Sequence, residues 1–251
     1  MQRDKKQYKI KSYLISIVIL VTIWESLSIL ISSPALPNPY VVLYSFVEHL
    51  RTDMPKHFLI SGIRVLCALA LALSVSLPLG FLSYKEKTDK FTAPFLYILY
   101  PIPQIVLLPL FIILFGIGNL SKILLISLIA FFQMWMTIRD AAKEINKSYV
   151  YSLISLGANG WHVYKHVVFP SVLPKVFTGL RISIGTAIAV LFFVESFATN
   201  RGLGYMIMEA WSKADYASLY AGMVAMALMG FGLYIILEII EKKVCRWLYL
   251  A

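Results

Sequence analysis

The chain has 251 residues, 59% of them hydrophobic and only 14% charged, whereas a soluble domain of this size is nearer half apolar and a quarter charged. Apolar runs of about 18 residues or more recur along it, which excludes an ordinary soluble enzyme and predicts an all-α, polytopic membrane protein. The formal net charge of +10 would suggest a nucleic-acid partner in a soluble chain. Here the cations sit in short loops between apolar runs, where membrane topology accounts for them, and no nucleic-acid partner is expected.

Six spans are predicted, at about 13–32, 59–82, 91–115, 120–138, 177–198 and 217–240, each near the ~20 residues that cross a bilayer core. The first follows a basic leader, Arg3 to Lys11. It is longer than a signal-peptide core and lacks a small-residue cleavage site, so it reads as an uncleaved span. The third contains Pro101, Pro103 and Pro109. Proline removes a backbone donor and clashes with the preceding turn, so this span is expected to be broken, either as a kinked packing helix or as one lining a pathway.

The loop cations give the orientation. Sixteen lie on one side, in 3–11, 85–90, 139–175 and 242–246, against five on the other: Arg51, Lys56, Lys122, Arg201 and Lys213. Arg64 and Arg181 fall near span ends. This bias predicts a multi-pass protein of the cell (plasma or inner) membrane with both termini and the 139–176 loop in the cytoplasm.

Intramembrane acids need a reason, since a charge at the bilayer centre costs about 2.5–3.5 kcal/mol or more. Glu25 lies two-thirds along the first span, Glu195 near the outer end of the fifth and Glu238 at the inner end of the sixth. Glu195, followed by Thr199, Asn200 and Arg201, is a candidate for the solute path, as are Gln104 and Asn200. A simple surface pair between Glu195 and Arg201 is the plain alternative.

Enzyme signatures are missing. No glycine is followed by lysine, so the chain has no Walker-type ATP site, and neither H-E-x-x-H nor G-x-S-x-G occurs. Cys67 and Cys245 read as unpaired small residues, with no cofactor or metal site around them. His162 and His166 share a helix face, but no Cys, Asp or Glu stands near them in the loop, and interfacial or partner contacts suit them better than a metal.

The longest cytoplasmic loop, about 140–176, is the most punctuated stretch. Asp140–Leu156 has helical composition and Gly157 interrupts it. Asn159 is a candidate N-cap for a second short helix over 160–168. Trp161, Tyr164 and Val168 fall on one face of that helix, and His162, Lys165 and His166 on another. Pro170 is expected to end it, with Pro174 in the first turn of the fifth span. The aromatic face fits either the lipid interface or a groove on a cytoplasmic partner. Gly157 bears on the second option, because a missing side chain lets another backbone approach closely.

Gly157, nine residues, then Val167-Val168-Phe169-Pro170 resembles the loop signature of ABC importer permeases, E-A-A-x3-G-x9-I-x-L-P. S-G-I-R-V at 61–65, L-L-P-L-F-I-I-L-F-G-I-G at 107–118 and G-L-G-Y at 202–205 resemble the nitrate/sulfonate/taurine-type branch. The resemblance spans about 58–247 of a single transmembrane permease domain covering 1–251. It implies a type I importer permease fold of six transmembrane helices, a permease dimer, cytoplasmic ABC ATPase subunits that hydrolyse ATP, an external solute-binding protein and a small solute such as a sulfonate, taurine, nitrate or vitamin precursor. It also implies that the loop is a coupling helix, carrying Tyr151, Ser152, Leu153, Gly157, Ala158, Trp161, Tyr164 and Pro170 to the ATPase. Tyr151-Ser152-Leu153 stands where the family has E-A-A, so the contact there differs. A self-contained ion-coupled carrier is the alternative; it would need inverted repeats and mid-membrane carboxylates, and only Glu25 is deep.

Overall fold

The computed structural model describes residues 2–197 and 199–248, and every regular element among them is helical. In chain order they are α1 (Gln2–Ile31), α2 (Pro39–Leu50), α3 (Met54–Leu82), α4 (Glu86–Leu99), α5 (Leu108–Phe115), α6 (Asn119–Lys143), α7 (Lys147–Ser155), α8 (Gly160–Val163), α9 (Phe169–Glu195), α10 (Leu203–Ser212) and α11 (Tyr216–Val244). Among the described residues five helices are long and apolar enough to cross a membrane, or six if the bent pair α4 and α5 is one span.

The core is a triad of α3, α6 and α9. Leu125, Ile126, Met134 and Ile138 of α6 are buried against Val65 and Ala72 of α3 and Val176, Ala187 and Leu191 of α9. Small residues set the spacing: Gly80 abuts Ile138, and Gly179 abuts Thr137, close approaches of the kind that hold helices together where lipid removes the hydrophobic drive. By contrast α1 is mostly exposed along its apolar length, touching α11 through the ring pairs Trp24–Tyr220 and Tyr13–Phe231.

The proline-rich third span is broken, as expected, by 75°. Gln104 staples the break: its amide donates to the carbonyls of Leu99 and Tyr100, both at 3.1 Å, which are among the carbonyls a helix end leaves without partners. Nearer the end of the bundle where the basic loops lie, α4 is tied to α6 by Asp89, which accepts from Arg139 at 2.6 Å and Lys143 at 2.6 Å.

Two expectations are corrected. Pro170 does not end a helix, and the fifth span does not start at 177; the helix runs from Gly160 to Glu195. Residues Tyr164–Val168 widen into a π-turn, with the Phe169 N–H bonded to the Tyr164 carbonyl. That extra residue per turn absorbs a proline that cannot donate and would clash in a regular helix. Pro174 accordingly lies inside α9 rather than at its start. The second correction concerns the other end of the bundle, where α2 and α10 are helices too short to cross. They were not anticipated, because each is too short to register as a span, although Asn38-Pro39 and Gly202 mark their starts.

Candidate functional site

At the end of the bundle opposite the basic loops, a polar cluster is built from four helices, α3, α6, α9 and α10, and the loop that leads into α10. Arg64 sits inside α3, not at a span end, and is 4% exposed; Glu195, the last residue of α9, is 1% exposed. They pair at 2.7 Å. Ser61, one turn before Arg64, donates to the same carboxylate at 2.8 Å, and the Gly204 N–H donates to it at 2.9 Å. The remaining guanidinium donors go to Asn119 Oδ1 at 2.7 and 3.0 Å and to the Arg201 carbonyl at 2.9 Å. Ser61 Oγ also accepts the Leu203 N–H at 2.8 Å, and His57 Nδ1 accepts the Gly202 N–H at 2.9 Å. A buried ion pair is tolerable only when its other lone pairs and protons are satisfied, and here they are.

The glycines make this possible. Gly202 has φ +121°, and a Cβ there would lie 2.3 Å from the Glu195 carboxyl carbon; one at Gly204 would lie 2.7 Å from Glu195 Cβ. The three motifs noted from sequence therefore meet in one place: Ser61 and Arg64 from S-G-I-R-V, Gly202 and Gly204 from G-L-G-Y, and the end of the 107–118 stretch, whose Ile117 and Gly118 carbonyls accept from Lys122 Nζ at 2.8 and 3.2 Å. The alternative, a surface pair of Glu195 with the Arg201 side chain, gives way to Arg64, which reaches the carboxylate from within α3. Asn200 is exposed in the loop beyond, and residue 198, the expected end of the fifth span, lies outside the described residues. Gln104 is in the α4–α5 break, apart from both.

At the basic end, residues 147–170 form a corner. Asn146 caps α7 by accepting from the Ser148 N–H at 2.9 Å. The helix ends in a Schellman arrangement: the Gly157 N–H bonds the Ile154 carbonyl at 2.9 Å and the Ala158 N–H bonds the Leu153 carbonyl at 3.1 Å. That ending requires left-handed backbone at the residue after the cap, and Gly157 supplies it with φ +81°. Asn159 then caps the next helix, accepting from the His162 N–H at 3.1 Å, as the sequence predicts. With turn chemistry on both sides, the corner is defined although its surface is open. Nothing lies within 4 Å of a Cβ placed on Gly157, Leu156 is 84% exposed and Trp161 is 71% exposed.

The other residues of this segment divide by depth. Tyr151 is exposed, the Ser152 hydroxyl donates to the Ser148 carbonyl, and Leu153 and Ala158 are half-buried. The aromatic face turns inward along its length, from Trp161 at the surface through half-buried Tyr164 to fully buried Val168. Tyr164 meets the Tyr84 ring at 5.5 Å, and burial, with Tyr151 nearby, pushes the Tyr84 phenol up. Trp161, Tyr164, Lys165 and Phe169 surround an apolar hollow of about 290 Å3 floored by Leu77 and Phe81. Half-buried Pro170 lies in the first turn of α9. The His162 and His166 rings stack at 6.3 Å.

Sequence reasoning missed Ser61, His57, Asn119 and the pairing of Arg64 with Glu195. The available signal was one arginine inside an apolar run and one glutamate inside another, since lone intramembrane charges of opposite sign seek each other.

Comparisons with known proteins agree with this architecture. The chain is 27% identical over 248 residues to the putative aliphatic sulfonates transport permease protein SsuC of Bacillus subtilis, covering 97% of this chain and 90% of the relative. It is 30% identical over 241 residues to the taurine transport system permease protein TauC of Escherichia coli, covering 92% and 88%. In an inward-facing structure of the MetNI methionine ABC transporter, a chain 16% identical in sequence superposes with a TM-score of 0.64 over 79% of this chain and 97% of that one, a likeness of fold. Residues 68–246 match the family described as binding-protein-dependent transport system inner membrane component, and the chain belongs to that family.

Proposed function

We propose that this chain is the path-forming subunit of an ATP-driven importer for a small organic solute of the sulfonate, taurine or pyrimidine-precursor kind. The relatives support that class: besides the sulfonate and taurine permeases, a formylaminopyrimidine transport permease of Halalkalibacterium halodurans is 25% identical over 97% of this chain. The basic end is cytoplasmic, in keeping with the positive-inside rule. Two copies of the chain form the path, an external binding protein delivers the solute, and ATPase subunits dock on residues 151–170.

One observation carries the coupling role. The exposed corner at Gly157 leads, through Asn159 and the π-turn, into one helix that ends on Glu195 at the far side of the bundle. A push on Leu156 and Trp161 is thereby delivered to α9 as a rigid body, and α9 holds the cluster with Arg64 and the α10 glycines. Shape changes of this kind use packed elements that move as units. The candidate path residues take different parts. Asn200 stays available to solute at the mouth, Gln104 holds the break in the third span, and Glu195 anchors the moving helix.

The test is uptake of labelled taurine, alkanesulfonates and formylaminopyrimidine into proteoliposomes that hold the chain with its co-purifying ATPase and binding protein. ATP-dependent uptake of one of them, lost in Gly157→Leu while insertion persists, is the expected result. Uptake by the chain alone, driven by an ion gradient, overturns the reading.

A further inference from the structure

The corner differs in charge from the rest of the basic end. From residue 145 to residue 194 there is no aspartate or glutamate. The corner surface carries exposed Lys147 and Lys165, the His162–His166 stack and, beside it, Lys85 lying 5.9 Å from the Tyr164 ring centre. Among the acids on neighbouring elements, Glu86 shares a hollow with Lys147, and the others are engaged elsewhere or lie apart. Glu86 faces Lys90 at 3.6 Å, Asp89 is held by Arg139 and Lys143, and Asp140 is held by Arg139 at 3.0 Å. Glu144 lines a separate hollow with Tyr149 and Lys175, beneath α7. Tyr151, where the loop signature of the resembling permeases opens with glutamate, is exposed and uncharged.

Apolar exposure and cationic charge coincide. Lys165 borders the apolar hollow of Trp161 and Phe169, a setting in which long cationic side chains cover apolar surface with their stems and keep the charge in water. Lys147 borders a second, more polar hollow of about 420 Å3 with Tyr84, Glu86, Lys143 and Tyr151, where two lysines face one carboxylate. Exposed Ile154, Leu156 and Trp161 thus lie in the chain between exposed Lys147 and Lys165. Such a surface is complementary to an apolar cleft with a carboxylate rim, because a rim charge steers the encounter and a like charge opposes it.

We infer that the ATPase subunit of this importer presents an acidic-rimmed apolar cleft to the corner, and that Lys147 and Lys165 select it. This rests on the proposed docking of the ATPase at residues 151–170. Lysine recognition replaces the glutamate that the loop lacks, so a partner built to receive an acidic loop is rejected.

The experiment uses the full chain in detergent and the ATPase subunit that co-purifies with it, repurified and identified by its nucleotide-binding motif. Affinity is measured between about 0.05 M and about 0.5 M salt, a range that shortens electrostatic reach severalfold. The double variant Lys147→Glu/Lys165→Glu binds about ten-fold more weakly at low salt and converges with wild type at high salt, while Lys147→Arg/Lys165→Arg binds as wild type. Unchanged or tighter binding of the Glu variant, or affinity insensitive to salt, overturns the inference. Gly157→Leu separates the two levels. If it abolishes binding while the lysine reversals leave it intact, docking at the corner stands and the acidic cleft falls. If it binds normally, the docking reading itself fails. Unchanged melting and elution of each variant shows that folding is not the cause.

Discussion

Gly157 and Gly202 sit in left-handed backbone, at φ +81° and +121°, and each ends or begins a helix at one end of the bundle. Their surroundings are opposite. A methyl group on Gly202 would collide with the Glu195 carboxylate at 2.3 Å, while one on Gly157 would meet nothing within 4 Å. At Gly202 the chain has already filled the space with its own serine, arginine and glutamate. At Gly157 it keeps the same demanding backbone and leaves the space open, beside exposed Leu156 and Trp161. The first glycine closes a structure; the second holds a defined backbone shape beside open space. Under the proposed docking, that open space is where a partner would meet the subunit.

The largest effect that can break this contrast is loss of the buried pair. Arg64→Met or Glu195→Leu alone leaves an uncompensated charge in the bundle and is expected to cost about 3–5 kcal/mol. The double variant should cost much less than the sum, which a double-mutant cycle of unfolding in detergent measures directly. Additive losses would mean that the two charges do not depend on each other.

Next come the glycines themselves. Gly202→Ala adds overpacking against Glu195 to left-handed strain, about 2–4 kcal/mol in all, whereas Gly157→Ala bears the strain alone, about 1–2 kcal/mol. Gly157→Asn, which tolerates that backbone, should unfold within about 0.5 kcal/mol of wild type. Its uptake then reports the partner's need for space without a folding defect. Equal losses at Gly202 and Gly157 on substitution to alanine would erase the distinction between them.

Much of this was legible in the sequence. Apolar length alone located the spans, since α3, α6 and α11 each present long runs with few charges. Asn159 and Gly157 were legible because caps and left-handed turns demand particular residue types. The start of the fifth span was not, because Pro170 signals an ending and Pro174 a new start, and only the π-turn at 164–168 lets the helix pass through Pro170. Nor was the role of Glu195. Charge pairing between residues 131 positions apart depends on which helix faces meet, and the apolar pattern of α9 is compatible with several. The glycines of G-L-G-Y were visible as a motif, but their reason is the carboxylate beneath them, which no local pattern contains.

The smallest effect sharpens the contrast by comparing two corners of the same design. α10 ends as α7 does: the Ala214 N–H bonds the Trp211 carbonyl at 3.0 Å and the Asp215 N–H bonds the Ala210 carbonyl at 3.0 Å. The left-handed position is held here by alanine, at φ +55°. An L-residue there carries about 1–2 kcal/mol of strain, and glycine would remove it while adding about 0.4–1 kcal/mol of freedom to the unfolded chain. Ala214→Gly is therefore expected to stabilise by about 0.5–1 kcal/mol, the reverse of Gly157→Ala, read as a shift in the unfolding midpoint. The neighbouring cap provides an internal control. Burial alone would raise the Asp215 carboxyl, but hydrogen bonds from the Ser218 hydroxyl and backbone N–H hold it below its ordinary value of 3.8. A carboxylate with a depressed value stabilises above its ordinary value and loses that contribution as pH falls through the depressed one. The cost of Asp215→Ala, about 1 kcal/mol near neutrality, should thus fade in acid. The gain from Ala214→Gly, which involves no titrating group, should persist there, and a gain that faded together with the cap would assign it to the charge and not to the backbone.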